Sequence, residues 1–267
     1  MSAIALAIFD IDGVVRDVGG SYRRAVADTV EQFTQGQFRP DSQAIDRLKR
    51  EGIWNNDWQA SQELIYRYYE QQGIAREQLQ LSYDEIVTFF QQRYRGPEKA
   101  DSTQWTGYIA QEPLLMNAAY LDQLAQNGIP WAFFSGATRG SASYVLQYRM
   151  GLREPVLIAM EDAPGKPDPT GLLMAVAQLE AKWAVQSPVP VLYAGDTAAD
   201  MHTVQQAQAQ AGQRRWLGVG VLPPHAQVDA TYAQTYADSL TAAGAVEVVA
   251  QISQLTAERI QTLLSAG

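Results

Sequence analysis

The sequence predicts an α/β protein: a doubly wound parallel sheet, interrupted after its first strand by an inserted all-helical subdomain. Three observations predict it. Short apolar runs recur along the chain with helical stretches between them, the pattern of parallel strands joined by crossover helices. These runs are apolar at every position rather than alternating, which suits strands covered on both faces. Between residues 18 and 112 the runs vanish and helical periodicity takes over.

Composition narrows the class. A chain of 267 residues makes one large domain or two modest ones. Its 46% hydrophobic and 18% charged residues are those of a soluble globular protein. No stretch of spanning length is apolar throughout, so no membrane helix and no membrane partner are expected. The first apolar run lacks a preceding basic region and a small-residue cleavage site, and reads as a strand instead of a signal peptide. The absence of cysteine excludes disulfides, thiolate metal sites and cysteine nucleophiles, and fits a reducing, cytoplasmic setting. A net charge of −9 argues against non-specific nucleic-acid binding, although a local phosphate site is compatible with it.

The first strand, Ala3 to Phe9, ends in Asp10-Ile11-Asp12-Gly13. Ligands of open parallel sheets sit beyond the carboxyl ends of the strands, so the two aspartates fall where chemistry is done. Residues of one parity share a side of a strand, and a turn at Gly13 can bring both carboxylates to one point. Aspartates also simply end strands and begin turns, and the motif alone does not decide between these readings.

The helical insertion begins with Tyr22, Ala25, Val26, Thr29, Val30 and Phe33 at helical spacing. Further helices are predicted over Asp41 to Glu51, over Gln62 to Glu70 with a stop near Gly73, and from Tyr83 with Ser82 as N-cap. The segment Trp54-Asn55-Asn56-Asp57-Trp58 admits two readings, a pocket lining or core anchors beside a helix cap, and aromatic residues in small bundles favour the second.

The sheet resumes after an amphipathic helix over Pro113 to Gln126. A second strand, Ile129 to Phe134, ends in Ser135-Gly136, with a helix expected from Arg139 or Gly140. Ser135 and the amides after it would then lie at a helix N-terminus, a natural anion site, or form an ordinary turn. A third strand, Val156 to Met160, leads to Gly165-Lys166-Pro167-Asp168-Pro169, a rigid turn that holds a lysine charge in one place. Lysine is equally common in exposed loops. A fourth strand, Val189 to Ala194, ends in Gly195-Asp196, and Asp200 follows in or beside the first turn of the next helix. His202 reads as a helix-surface residue rather than a ligand. A fifth strand covers Trp216 to Leu222, and terminal helices are expected from about Asp238 and Ser253.

Four strand ends thus carry Asp10-x-Asp12-Gly13, Ser135-Gly136, Gly165-Lys166-Pro167-Asp168-Pro169 and Gly195-Asp196-x-x-x-Asp200, in that order. This resembles the haloacid dehalogenase (HAD) superfamily with its four signature motifs. The resemblance covers the whole chain, because the helical block lies where a subset similar to phosphoglycolate phosphatases and β-phosphoglucomutases carries an α-helical cap. It implies a HAD-like sheet of order 5-4-1-2-3, a core of residues 1–17 and 113–267, and a cap of residues 18–112.

The resemblance also implies roles. Asp10 would be the nucleophile that forms an aspartyl-phosphate, and Asp12 the general acid and then base. Ser135, Gly136 and Lys166 would bind the phosphoryl group. Asp10, Asp196, Asp200 and the backbone carbonyl of Asp12 would hold Mg²⁺, a hard cation suited to oxygen ligands. The cap would close over the site and present the specificity residues. Arg16 and Asp17 would lie on the hinge side, with Arg16 reaching a substrate anion or making a surface salt bridge.

The expected activity is Mg²⁺-dependent hydrolysis of a small phosphorylated metabolite resembling phosphoglycolate or a sugar phosphate. A phosphomutase of the β-phosphoglucomutase type is the first alternative, and a catalytically idle binding or regulatory protein the second. Intact catalytic positions weigh against idleness. True dehalogenases do not need an acid at the position of Asp12. A phosphonatase would need a cap lysine, and neither Lys49 nor Lys99 stands in a suggestive motif. The sequence leaves the oligomeric state open.

Overall fold

In the computed structural model, which describes residues 3–54, 56–97, 102–185 and 188–266, the strands are β1 (Leu6–Phe9), β2 (Trp131–Phe134), β3 (Leu157–Ile158), β4 (Val191–Gly195), β5 (Trp216–Val221) and β6 (Glu247–Val249). They form one parallel sheet of order β3-β2-β1-β4-β5-β6. Its first five strands stand in the expected order. β6 was not legible: it is three residues long and only Val249 is buried, so it leaves no apolar run.

The helices are α1 (Tyr22–Phe33), α2 (Ser42–Lys49), α3 (Asp57–Gln71), α4 (Tyr83–Arg95), α5 (Ala118–Gln126), α6 (Arg139–Ser143), α7 (Thr170–Trp183), α8 (Ala198–Gln210), α9 (Ala230–Ala242) and α10 (Ala257–Ser265). α5 starts five residues later than its amphipathic pattern, because Asn117 caps it by accepting from Tyr120 N. α9 starts eight residues earlier than expected, because Asp229 caps it by accepting from Tyr232 N. α6 runs on as a π-helical stretch, Tyr144–Arg149.

The chain divides into two compact units, Met1–Asp17 with Leu114–Gly267, and Val18–Pro113. In the first, strand parity sorts the core. Leu6, Ile8, Ala132, Phe134, Val191 and Tyr193 share one face of the sheet with Leu172, Ala175 and Leu179 of α7 and Val204 and Ala207 of α8. Phe9 points the other way, against Phe133 and Tyr120. Asp10, one step past Phe9, continues on the Tyr193 face.

In the second unit, α1 packs against α3 and α4, with Phe33 edge-on to Phe89. Arg23 and Asp46 form a buried ion pair at 2.5 Å. The tryptophan segment serves the fold here. Asn56 caps α3 by accepting from Trp58 N and Gln59 N, Asp57 pairs with Lys49 at 2.7 Å, and the Trp54 indole donates to Glu51. Lys49 also donates to Tyr22 Oη at 3.2 Å. Asn55 and Lys99 lie outside the described residues.

Candidate active site

Four loops converge at the carboxyl ends of β1, β2 and β4. Asp10 follows β1 directly, is buried, and accepts a hydrogen bond from Ile11 N at 2.7 Å. The next turn is closed by Gly13 N donating to Arg16 O at 2.9 Å. Gly13 is required there twice over: its φ is +76°, and a Cβ would collide with the Asp196 carboxylate. That collision locates Asp196, which follows β4, directly against the first loop.

Lys166 reaches the same point from the loop before α7. Its Nζ lies 3.0 Å from Asp10 Oδ1 and 2.5 Å from Asp200 Oδ1. The ammonium stands over the rings of Phe134 and Tyr193, at 5.2 and 5.3 Å from their centroids. The lysine is therefore a buried cation between two carboxylates and two aromatic faces, and the exposed-loop reading does not hold.

Asp200 is held on both oxygens. Oδ1 accepts from Lys166 and from Tyr193 Oη at 2.9 Å; Oδ2 accepts from Thr197 N at 2.9 Å and Thr197 Oγ1 at 2.6 Å. Thr197 is the N-cap of α8, and Asp200, three residues on, completes a capping box. Gly195 is needed beside it, since a Cβ there would strike Asp200. Tyr193 and Thr197 were not singled out from sequence. The Thr-x-x-Asp spacing was a readable signal for Thr197, whereas Tyr193 was one apolar-face residue of a strand among others.

The charges are unevenly shared. Burial, opposed by Lys166 and reinforced by Asp200 and Asp12, pushes the Asp10 carboxyl up to about 7. Against the cost of burial, Lys166 and Thr197 hold Asp200 below the usual carboxylate range. Burial works to lower Lys166, but Asp10 and Asp200 more than reverse it. One ammonium thus serves two buried carboxylates, lying nearer Asp200 at 2.5 Å than Asp10 at 3.0 Å, which leaves the cluster short of positive charge.

A divalent cation fits that shortfall. Asp10, Asp196 and Asp200 offer carboxylate oxygens within 4.8 Å of one another, all three residues buried. The donors are hard oxygens, as Mg²⁺ prefers. Asp10 and Asp196 are the better ligands, because Asp200 already accepts four hydrogen bonds.

Ser135 is buried after β2, and its Oγ accepts from Ala137 N at 3.2 Å; Gly136 beside it is exposed. The helix begins at Arg139, as expected, but Ser135 does not sit at its N-terminus. α6 starts four residues after Ser135, Thr138 caps it, and Glu161 already accepts from its first amide, Arg139 N, at 2.9 Å. An anion beside Ser135 would meet loop amides, not the end of α6. His202 is exposed on α8, away from any ligand set among the described residues.

Asp12 is partly exposed, and its Oδ1 accepts from Arg16 Nε at 2.6 Å. Arg16 is 1% exposed, so the surface salt bridge, one of its two readings, is instead a pair between a buried guanidinium and a partly exposed carboxylate. The backbone explains this: Arg16 bridges both Asp12 and Leu114, which draws it into the core unit.

The profile of the haloacid dehalogenase-like hydrolases matches residues 4–208. The chain belongs to this family. Among solved HAD-fold structures, a phosphonoacetaldehyde hydrolase-like protein from Oleispira antarctica is similar with a TM-score of 0.66 at 16% identity, covering 98% of this chain and 93% of that one. A phosphatase from Thermococcus thioreducens gives 0.58 at 20% identity over 86% and 98%. A β-phosphoglucomutase from Clostridium difficile gives 0.57 at 16% over 98% and 96%. In sequence, an imidazoleglycerol-phosphate dehydratase from Phytophthora nicotianae is 28% identical over 242 residues, 90% of this chain and 46% of that protein. The HAD chain thus spans about half the length of that relative.

Proposed function

We propose that this HAD-family hydrolase is a Mg²⁺-dependent phosphatase of small phosphorylated metabolites, working through an aspartyl-phosphate on Asp10. The observation that carries the reading is the meeting of Asp10, Asp196 and the Lys166–Asp200 pair at one buried point.

In the first step an Asp10 carboxylate oxygen attacks phosphorus, and the bond from phosphorus to the ester oxygen breaks. Asp12 gives its proton to that leaving oxygen. In the second step Asp12 takes a proton from water, the water oxygen attacks phosphorus, and the acyl-phosphate bond breaks, restoring the Asp10 carboxylate. Proton transfer of this kind contributes about 10²–10⁴-fold. Lys166, Ser135 and the amide of Gly136 bind phosphoryl oxygens. Asp10, Asp196 and the carbonyl of Asp12 would hold Mg²⁺, which when bound would supply neutralisation of charge between the nucleophile and the phosphoryl group. Asp200 contributes by fixing Lys166.

In this reading Val18–Pro113 is the cap that selects the substrate. Lys49 does not support phosphonatase chemistry, since Asp57 and Tyr22 engage its ammonium. The substrate class extends to phosphate esters of imidazole-bearing alcohols, because the Phytophthora relative is named for one.

The test is turnover of p-nitrophenyl phosphate with and without Mg²⁺, followed by a screen of phosphorylated metabolites that includes imidazoleglycerol phosphate. Turnover is expected to vanish with chelator and in Asp10→Asn. Normal turnover by Asp10→Asn would remove Asp10 from the nucleophile role. An isomeric sugar phosphate in place of free phosphate would convert the reading to a mutase.

A further inference from the structure

Arg16 has the largest of the fully buried side chains, and a buried guanidinium is expensive unless its position is used. Its Nε donates to Asp12 Oδ1 at 2.6 Å, and its Nη2 donates to Ser141 Oγ at 3.1 Å. Ser141 is itself buried, in α6, so one end of the fork is anchored in the helix that follows the Ser135 loop. The backbone of Arg16 is equally fixed: its N–H donates to Ile11 O, its carbonyl accepts from Gly13 N, and it bridges Leu114. Asp12, by contrast, keeps 22% of its side chain exposed against 1% for Arg16. The arrangement is a rigid buried fork holding a carboxyl group that still faces outward.

We propose that Arg16, anchored by Ser141, is a positioning residue that fixes the Asp12 carboxyl for proton transfer to the leaving oxygen. This rests on Asp12 being the general acid of the proposed phosphatase reaction. Arginine suits the task because its planar fork loses little further freedom on bonding, whereas a lysine would hold the carboxyl by one rotatable charge. Restricting Asp12 to one rotamer saves the orientation that a free carboxyl must find at each turnover.

The test uses leaving-group dependence, which a purely structural role does not move. p-Nitrophenolate departs without a proton; the alkoxide of benzyl phosphate, a substrate of similar size, needs one. The readout is kcat/KM, which ends at transfer of the phosphoryl group to Asp10 and so omits the second use of Asp12. Arg16→Met is expected to lose about 10²-fold on benzyl phosphate, within the range of general acid catalysis, and less than about tenfold on p-nitrophenyl phosphate. Arg16→Lys and Ser141→Ala should show the same inequality with smaller losses, and they carry the test if Arg16→Met does not fold.

Equal losses on both esters, or none, in these variants overturn the positioning role. Asp12→Ala separates the two levels of the argument. If it discriminates between the esters and the Arg16 and Ser141 variants do not, only the role of Arg16 falls. If Asp12→Ala itself shows no discrimination, or the wild-type protein turns over neither ester, the general-acid reading falls and the role of Arg16 falls with it.

Discussion

Lys166 and Asp200 form a buried ion pair at 2.5 Å, 34 residues apart in sequence, with the nucleophile candidate Asp10 3.0 Å from the same ammonium. Neither charge has water to fall back on, so removing Asp200 leaves the buried Lys166 with Asp10 alone, and removing Lys166 leaves the buried Asp200 with only the neutral donors of Tyr193 and Thr197. Lys166→Met and Asp200→Asn are each expected to destabilise the protein by about 3–5 kcal/mol. The double variant should lose clearly less than the sum, because it strands neither charge. Denaturant unfolding of the four proteins measures this coupling; strict additivity would show that the pair is not a unit.

Tyr193 extends the same cluster. Its hydroxyl lies 2.9 Å from Asp200 Oδ1 and 3.1 Å from Phe134 O, inside a core face made otherwise of apolar side chains. Tyr193→Phe keeps the ring under Lys166 and removes only the donor. Stability should fall by about 1 kcal/mol, since Asp200 keeps three other partners. Turnover should fall as Lys166 loosens, with KM for p-nitrophenyl phosphate rising more than kcat declines. Unchanged kinetics would confine Tyr193 to the core.

Gly13 is the cheapest place to disturb the metal centre without removing a ligand. In Gly13→Ala the new methyl meets the Asp196 carboxylate, and the positive φ adds strain. Affinity for Mg²⁺ should drop about 10–100-fold, the range seen when groups that orient metal ligands are lost. Titration of activity with Mg²⁺, beside a far-ultraviolet spectrum showing retained fold, checks it. An unaltered Mg²⁺ midpoint would place the cation elsewhere.

Burial raises Asp10 from an ordinary value near 3.8 to about 7, even with Lys166 opposing it. Between these values the unfolded chain has released the proton and the folded protein retains it, so the stability of the metal-free protein should fall as pH rises from about 4 to about 7. A divalent cation binds the ionised carboxylate and reverses the trend. Thermal melts across that range with chelator and with Mg²⁺ should diverge, the Mg²⁺ stabilisation growing with pH. Parallel curves would show that Asp10 neither titrates there nor binds the cation.

The placement of the candidate site residues was legible because ligands of parallel sheets sit at strand ends. The apolar run up to Phe9 forces Asp10 onto a strand tip, and the same logic places Ser135 and Asp196. A local capping rule likewise gave Ser82 as the N-cap of α4, and the passage of the loop into the helix of Val204 and Ala207 put Asp200 in or beside the first turn of α8. Elements failed where local signal was weak: β6 is too short to repeat an apolar pattern, and the start of α9 at Ala230 follows an aspartate cap in a stretch with little hydrophobic periodicity.

Strand content, helix content and the order of motifs are consequences of neighbouring residues, so a linear reading reaches them. The partnering of charges is not, because it depends on which loops meet. Only the folded chain brings Lys166 between Asp10 and Asp200, gives Asp200 to Tyr193, and buries Arg16 against Asp12 and Ser141. Pairings across 34 and 125 residues leave no periodicity to read, and burial, which decides how strongly each charge needs its partner, is a property of the packed protein alone.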